Sequence, residues 1–176
     1  MFSARRNTLD RLRKQPVARV LVVCHGNIYR SAFVGEHLRG RIGSRVEVRS
    51  AGFYPKTGRP APERHVAMSR RHGVSLDRHA SAVVTADDLD WADIIVLMDR
   101  RNWLDLRKAR ADPRKFVWLG AFTPGPVEIA DPYAMDDVRA EALLSRLAAS
   151  SEALAKTIVE RTTGALRETT DAGRRG

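Results

Sequence analysis

One cysteine occurs in the 176 residues of this chain. A lone thiol closes no internal disulfide, and no Cys/His group has the spacing of a zinc site. A disulfide scaffold and a thiol-rich metal module are excluded, and no metal or other cofactor is expected. Long apolar runs are missing too. Nothing approaches the roughly eighteen residues of a membrane span, and the opening stretch MFSARRNTLDRLRKQP is broken by charge where a secretory signal would be apolar. No membrane span is expected, and the expected compartment is the cytoplasm. Acidic residues are in deficit, 21 against 31 Lys and Arg, for a net charge of +10. Such a balance suits an anionic partner. Aromatics are only 6% of the chain, however, and no RNA-binding aromatic motif or zinc finger accompanies the charge, so no nucleic-acid partner is expected.

What is present is enough for one domain with a real core. Residues 1–17 read as a basic, flexible arm, with Thr8 capping a short helix through Lys14 and Pro16 ending it. From residue 18 onward strands alternate with helices. ARVLVV (18–23) is a buried strand, and 31–42 places Phe33, Val34, Leu38 and Ile42 at helical spacing before Gly43. A strand at 46–50 leads to a Gly/Pro-rich loop. A helix from Pro62 to His72 follows, with Val66, Ala67 and Met68 inward and Gly73 as its left-handed stop. Thr85 caps a short helix, 93–99 and 115–120 are strands, and a long helix carries Val138, Leu144, Leu147, Leu154, Ile158 and Val159 on or near its apolar face. Residues 164–176 read as a polar, frayed tail. Alternation of this kind predicts a three-layer α/β/α domain over 18–163, with a four-stranded parallel sheet and the site at the carboxyl ends of the strands.

The cysteine falls at that end of the first strand, in VVCHGNIYRSAF (22–33). A loop entering a helix N-terminus turns successive backbone N–H groups inward and adds the positive end of the helix dipole, which makes a phosphate cradle. The same field favours the thiolate of Cys24. Arg30 closes the loop, where its planar fork can grip two phosphoryl oxygens. Arginine is common in this chain, so its spacing from Cys24 is weak by itself. Gly26, Asn27 and Ser31 strengthen the reading: Gly26 lets backbone approach a ligand, Asn27 tolerates a left-handed conformation, and the Ser31 hydroxyl can reach the cysteine sulfur. Far along the chain, DPY offers a carboxylate, Asp131, that can serve as general acid, with Tyr133 as a wall for an aromatic ring. His37, His65, His72 and His79 are scattered and read mostly as surface or cap residues.

VLVVCHGNIYRS, SAG (50–52), RRHG (70–73), ADIIVLMDRRN (92–102) and DPY (131–133) together, in this order, resemble the low-molecular-weight protein tyrosine phosphatases. The resemblance implies metal-independent hydrolysis of phosphotyrosine through a cysteinyl-phosphate. Cys24 would be the nucleophile, Arg30 and the amides of His25, Gly26, Asn27, Ile28 and Tyr29 the phosphate clamp, and Asp131 the general acid and then base. It assigns loop support to Asn27, Ser31, Ser50 and His72, and a supporting role to Asp99. The implied partner is a tyrosine-phosphorylated protein, in the setting of a bacterial-type tyrosine kinase or its substrate.

Three departures matter. The family usually carries a second cysteine before the loop arginine, and here that residue is Tyr29. No internal disulfide can then protect Cys24, so its oxidation is free to proceed up the ladder to irreversible acids, and thioredoxin-coupled arsenate reduction through several cysteines is closed. Ala134 stands where an aromatic often follows the DPY tyrosine, leaving Tyr54 or Phe53 to supply the opposite wall. Ile28 stands where the similar protein-arginine phosphatases carry threonine, which favours phosphotyrosine over phosphoarginine. Two other readings are a phosphotyrosine- or anion-binding relative whose turnover the bulk of Tyr29 impairs, and a basic adaptor using Arg5, Arg6, Arg11, Arg13 and Lys14. No oligomeric state follows from the sequence.

Overall fold

The computed structural model describes residues 2–14, 16–44 and 46–172, the side chains of 2, 14 and 162–172 excepted. Four parallel strands form one sheet in the order β2-β1-β3-β4: β1 Arg19–Cys24, β2 Glu47–Gly52, β3 Ile94–Leu97 and β4 Phe116–Trp118. The central strands β1 and β3 are Val/Ile/Leu runs because parallel strands in a covered sheet bury both faces. Side chains alternate between those faces. Val20, Val22, Ile94 and Val96 pack into one core with α2 (Arg30–Ile42) and α6 (Asp137–Ala172). Leu21, Val23, Ile95 and Leu97 pack into the other, which holds Leu89 of α4 (Ala86–Trp91) and Leu106 of α5 (Arg100–Lys108). The expected three-layer architecture is present.

Helix starts and stops follow local chemistry. Thr85 forms a reciprocal capping box with Asp88 at the start of α4, and Asp99 caps α5 by accepting from Asn102 N. α3 spans Glu63–Arg71, with Pro62 just before it and Gly73 at φ 71° after it. Its inward face is His65, Met68 and Ser69, whereas Ala67 is exposed. On α6, Leu144, Leu147, Leu154 and Ile158 are buried, but Val138 is 80% exposed and Val159 is exposed as well, so the apolar stripe is narrower than its sequence suggests. The backbone of α6 stays helical through residue 172, into the segment expected to fray, and residues 173–176 lie outside the described residues.

The basic arm is the main correction. Residues 2–14 form one helix, α1 (Phe2–Lys14), docked on the sheet edge at β4. Thr8 lies inside this helix, fully buried, and its Oγ1 accepts from Trp118 N at 3.2 Å. Arg11 donates to the Phe116 carbonyl, and Arg5 donates to the carbonyls of Ala121 (2.6 Å), Thr123 (2.9 Å) and Gly125 (2.9 Å). Edge-strand backbone left unpaired invites association with other chains. Here α1 side chains take it up, which explains why a segment of low mean hydropathy docks at all. Leu12, 1% exposed, supplies the apolar anchor. Leu12→Ala is expected to cost about 2–4 kcal/mol in denaturant unfolding; a cost near zero would return these residues to the status of a free arm.

Candidate active site

The loop between β1 and α2 is shaped by the company of its carbonyls. His25 O accepts from Phe53 N (2.8 Å) and Tyr54 N (2.9 Å), Gly26 O from the Arg59 guanidinium, Asn27 O from His79 Nε2 (2.6 Å) and Tyr29 O from His65 Nε2 (3.2 Å). A trans peptide points its N–H opposite to its carbonyl. With those carbonyls held on the outside, the N–H groups of Gly26, Asn27, Ile28 and Arg30 converge on the space above Cys24, and Asn27 N donates to Cys24 Sγ at 3.3 Å. Asn27 makes the turn possible by adopting φ 50°. Its side chain braces the turn on both sides: Oδ1 accepts from Ala82 N (2.8 Å) and Nδ2 donates to Ser31 Oγ (2.9 Å). Ser31 Oγ in turn lies 3.0 Å from Cys24 Sγ. Gly52, paired with Cys24 in the sheet register, must be glycine, since a Cβ there would meet His25 O at 2.7 Å.

Cys24 is 2% exposed at the end of β1, and Arg30 is 1% exposed at the start of α2. Arg30 Nη1 donates to Asp99 Oδ2 (2.5 Å) and to the Ile129 carbonyl (2.9 Å), while Nη2 donates to Asp131 Oδ2 (2.6 Å). Its Nε is buried and has no hydrogen-bond partner among the described residues. Burial alone would lower the Arg30 pKa, but Cys24, Asp131 and Asp99 outweigh it and raise the pKa, so the cation is secure. Asp131 is held in turn by Tyr133 N, which donates to its Oδ1 at 3.1 Å. Arg30 therefore ties the β1 loop to the end of β3 and to the DPY segment.

A cavity of about 490 Å³ opens above Cys24. Gly26 and Ile28 line it beside the cysteine, Tyr29, Tyr54 and Tyr133 form walls, and Asp131, Arg59, Arg101 and His25 also line it. The Tyr29 ring packs 4.8 Å from His65 and edge-on to Tyr133 at 6.3 Å. Tyr54 rather than Phe53 is the opposite wall; Phe53 packs against the α4/α5 core. The pKa of His25 is lowered, first by burial and then by neighbouring Arg101.

Most residues singled out by sequence converge here. Two do not. Ser50 lies against Gly35 on α2, and His72 makes a 2.8 Å bond to Glu141 with its ring edge-on to Phe33. The loop-supporting histidines are instead His65 and His79, reached from α3 and from the segment before α4. Neither they nor Arg59 stand out in the sequence, because each meets the loop only through tertiary packing; Gly52, a glycine at a strand end, carried the one readable signal.

A buried cysteine under converging amides, closed by an arginine and faced by a carboxylate, is an arrangement that could receive a phosphate group against a thiol. The family profile described as "Low molecular weight phosphotyrosine protein phosphatase" matches residues 19–163. The chain belongs to this family of enzymes. It is 31% identical over 137 residues to low molecular weight protein-tyrosine-phosphatase Etp of Escherichia coli K12, covering 78% of this chain and 92% of Etp. Among solved structures, the tyrosine phosphatase AmsI of Erwinia amylovora superposes with a TM-score of 0.74 at 29% identity, covering 84% of this chain and 95% of AmsI. The YwlE arginine phosphatase of Geobacillus stearothermophilus superposes with a TM-score of 0.73 at 25% identity, covering 85% and 97%. The matched residues begin at 19, so α1 lies outside the family core.

His65 yields a pH test of this scaffold. Burial, opposed by its bond to the Tyr29 carbonyl, lowers its pKa from 6.5 to about 4. The unfolded chain then binds a proton that the folded chain refuses. Stability is complete above the unfolded value and falls as pH drops from 6.5 towards 4, by up to about 3 kcal/mol. Urea unfolding at about pH 7 and about pH 4.5 is expected to show a smaller acid loss in His65→Gln than in the wild type; equal losses would remove His65 from this role.

Proposed function

We propose that the protein hydrolyses phosphotyrosine in proteins, and small aryl phosphates, through a cysteinyl-phosphate. The observation that carries this reading is that Cys24 and Asp131 line one cavity, with Asn27 N donating to Cys24 Sγ and Arg30 bonded to Asp131 behind it. The Cys24 thiolate attacks phosphorus as the P–O bond to the phenol breaks, and protonated Asp131 gives its proton to the leaving oxygen. Asp131, now a carboxylate, takes a proton from water as the water oxygen attacks phosphorus. Inorganic phosphate leaves and the thiolate returns. The loop amides and Arg30 hold the equatorial oxygens throughout, and the reaction as written uses no metal. Asp99 and the Ile129 carbonyl fix one end of the guanidinium, so a phosphoryl oxygen reaching Nη2 competes there only with Asp131, and the buried Nε has no partner among the described residues to displace. The likeness to Etp, a protein-tyrosine-phosphatase, supports a tyrosine-phosphorylated protein as substrate; that the substrate is a bacterial-type tyrosine kinase or its target is what the family resemblance implies.

A second reading, phosphoarginine hydrolysis, draws on the likeness to YwlE. Ile28 argues for the tyrosine reading: its apolar side chain lines the cavity beside Cys24.

Hydrolysis of p-nitrophenyl phosphate without added metal tests the chemistry. Cys24→Ser is expected to abolish turnover, and Asp131→Asn to lower kcat/KM by about 10²-fold or more, with a greater loss for phenyl phosphate, whose leaving group needs the proton more. Full activity in Cys24→Ser would overturn the reading. Ile28→Thr is expected to raise the ratio of phosphoarginine to phosphotyrosine turnover by about tenfold; an unchanged ratio would leave substrate choice without this determinant.

A further inference from the structure

Two cations at the cavity are left unused by the chemistry. Arg59 and Arg101 both line it, and neither is within ion-pairing distance of a carboxylate among the described residues. Elsewhere arginines find partners readily: Arg19 pairs with Asp93, Arg64 with Asp137, Arg70 with Asp77 and Arg71 with Glu141. The carboxylates that reach this side of the cavity are Asp131, already engaged by Arg30, and Asp105 of α5, which acts on His25 through space.

Arg101 stands at an unfavourable place, and Arg59 is fixed in position. Arg101 lies in the first turn of α5, where the helix dipole favours an acidic residue, yet that turn holds none. Its Nη2 donates to His25 Nε2 at 3.1 Å, a neutral acceptor that leaves the charge uncompensated. Arg59 is held rigidly: Nη2 donates to the Gly26 carbonyl, Nε to Lys56 O at 3.4 Å, and Cζ stacks 4.3 Å over the Tyr54 ring. Tyr54 is edge-on to His25 at 5.8 Å. Arg59, Tyr54, His25 and Arg101 thus form a continuous basic and aromatic row in the lining of the cavity.

We propose that Arg59 and Arg101 select phosphotyrosines flanked by acidic side chains. The proposal rests on the phosphatase reading and gives its substrate class. A phosphotyrosine seated with its phosphoryl group at Cys24 leaves its own backbone crossing the mouth of the cavity. Neighbouring Asp or Glu side chains then meet cations that are already placed, so little side-chain entropy is lost in pairing. Unlike charges there also speed encounter, and basic flanks are repelled.

The experiment measures kcat/KM for phosphotyrosine peptides that differ only in carrying Glu, Gln or Lys on either side of the phosphotyrosine. The wild type is expected to prefer Glu over Lys by about tenfold at low salt, shrinking towards about twofold near 0.5 M salt. Arg59→Gln and Arg101→Gln are each expected to shrink the Glu/Lys ratio by about two- to fivefold, while Arg101→Lys keeps most of it. Because each ratio is taken within one variant, a general loss of turnover cancels. Equal rates on all peptides in the wild type, or an unchanged ratio in both Gln variants, would overturn the proposal while leaving the phosphatase reading intact. No hydrolysis of any peptide by folded wild type would overturn the phosphatase reading, and this proposal with it.

Discussion

A peptide unit cannot aim its carbonyl and its N–H the same way, and residues 24–30 are arranged around that constraint. The carbonyls of His25, Gly26, Asn27 and Tyr29 are drawn outward by Phe53 and Tyr54 amides, Arg59, His79 and His65. These partners come from β2 and its following loop, from α3 and from the segment before α4. The anion cradle is therefore a tertiary product: its N–H groups converge because distant segments hold the opposite side of each peptide. The left-handed turn at Asn27, costly for most residues, persists because its side chain is bonded at both ends.

The second organising contact is Arg30. Fully buried, it would be untenable without compensating charge. Asp99 at the N-cap of α5 and Asp131 supply it, and the Ile129 carbonyl takes a further N–H. One side chain thereby links β1, the end of β3 and the loop before α6, which brings a carboxylate more than a hundred residues away to the cysteine. Electrostatics within this cluster and geometry within the loop act on the same place, the space above Cys24.

Much of this was legible in the sequence. Period and punctuation placed the four strands and the helices, because buried parallel strands and capped helices write themselves into short windows. Cys24, Gly26, Asn27, Arg30 and Ser31 sit in one such window, and Asp131 was marked by its Pro and Tyr neighbours. The failures share a cause. His65, His79 and Arg59 reach the loop from elsewhere, and nothing near them in sequence records it. α1 looked like a free arm since its polar residues, Thr8, Arg5 and Arg11, bond to backbone of β4 and the segment after it, a use of polar groups that composition reads as solvation. His72 and Ser50, transferred by resemblance, belong to other contacts in this chain.

The measurement closest to the central claim is mass spectrometry of protein quenched in acid during turnover of an aryl phosphate, in the wild type and in Asp131→Asn. The account predicts one added phosphoryl group on the peptide that contains Cys24. Turnover without such an adduct, or with the phosphoryl group on His25 or another residue, would contradict it.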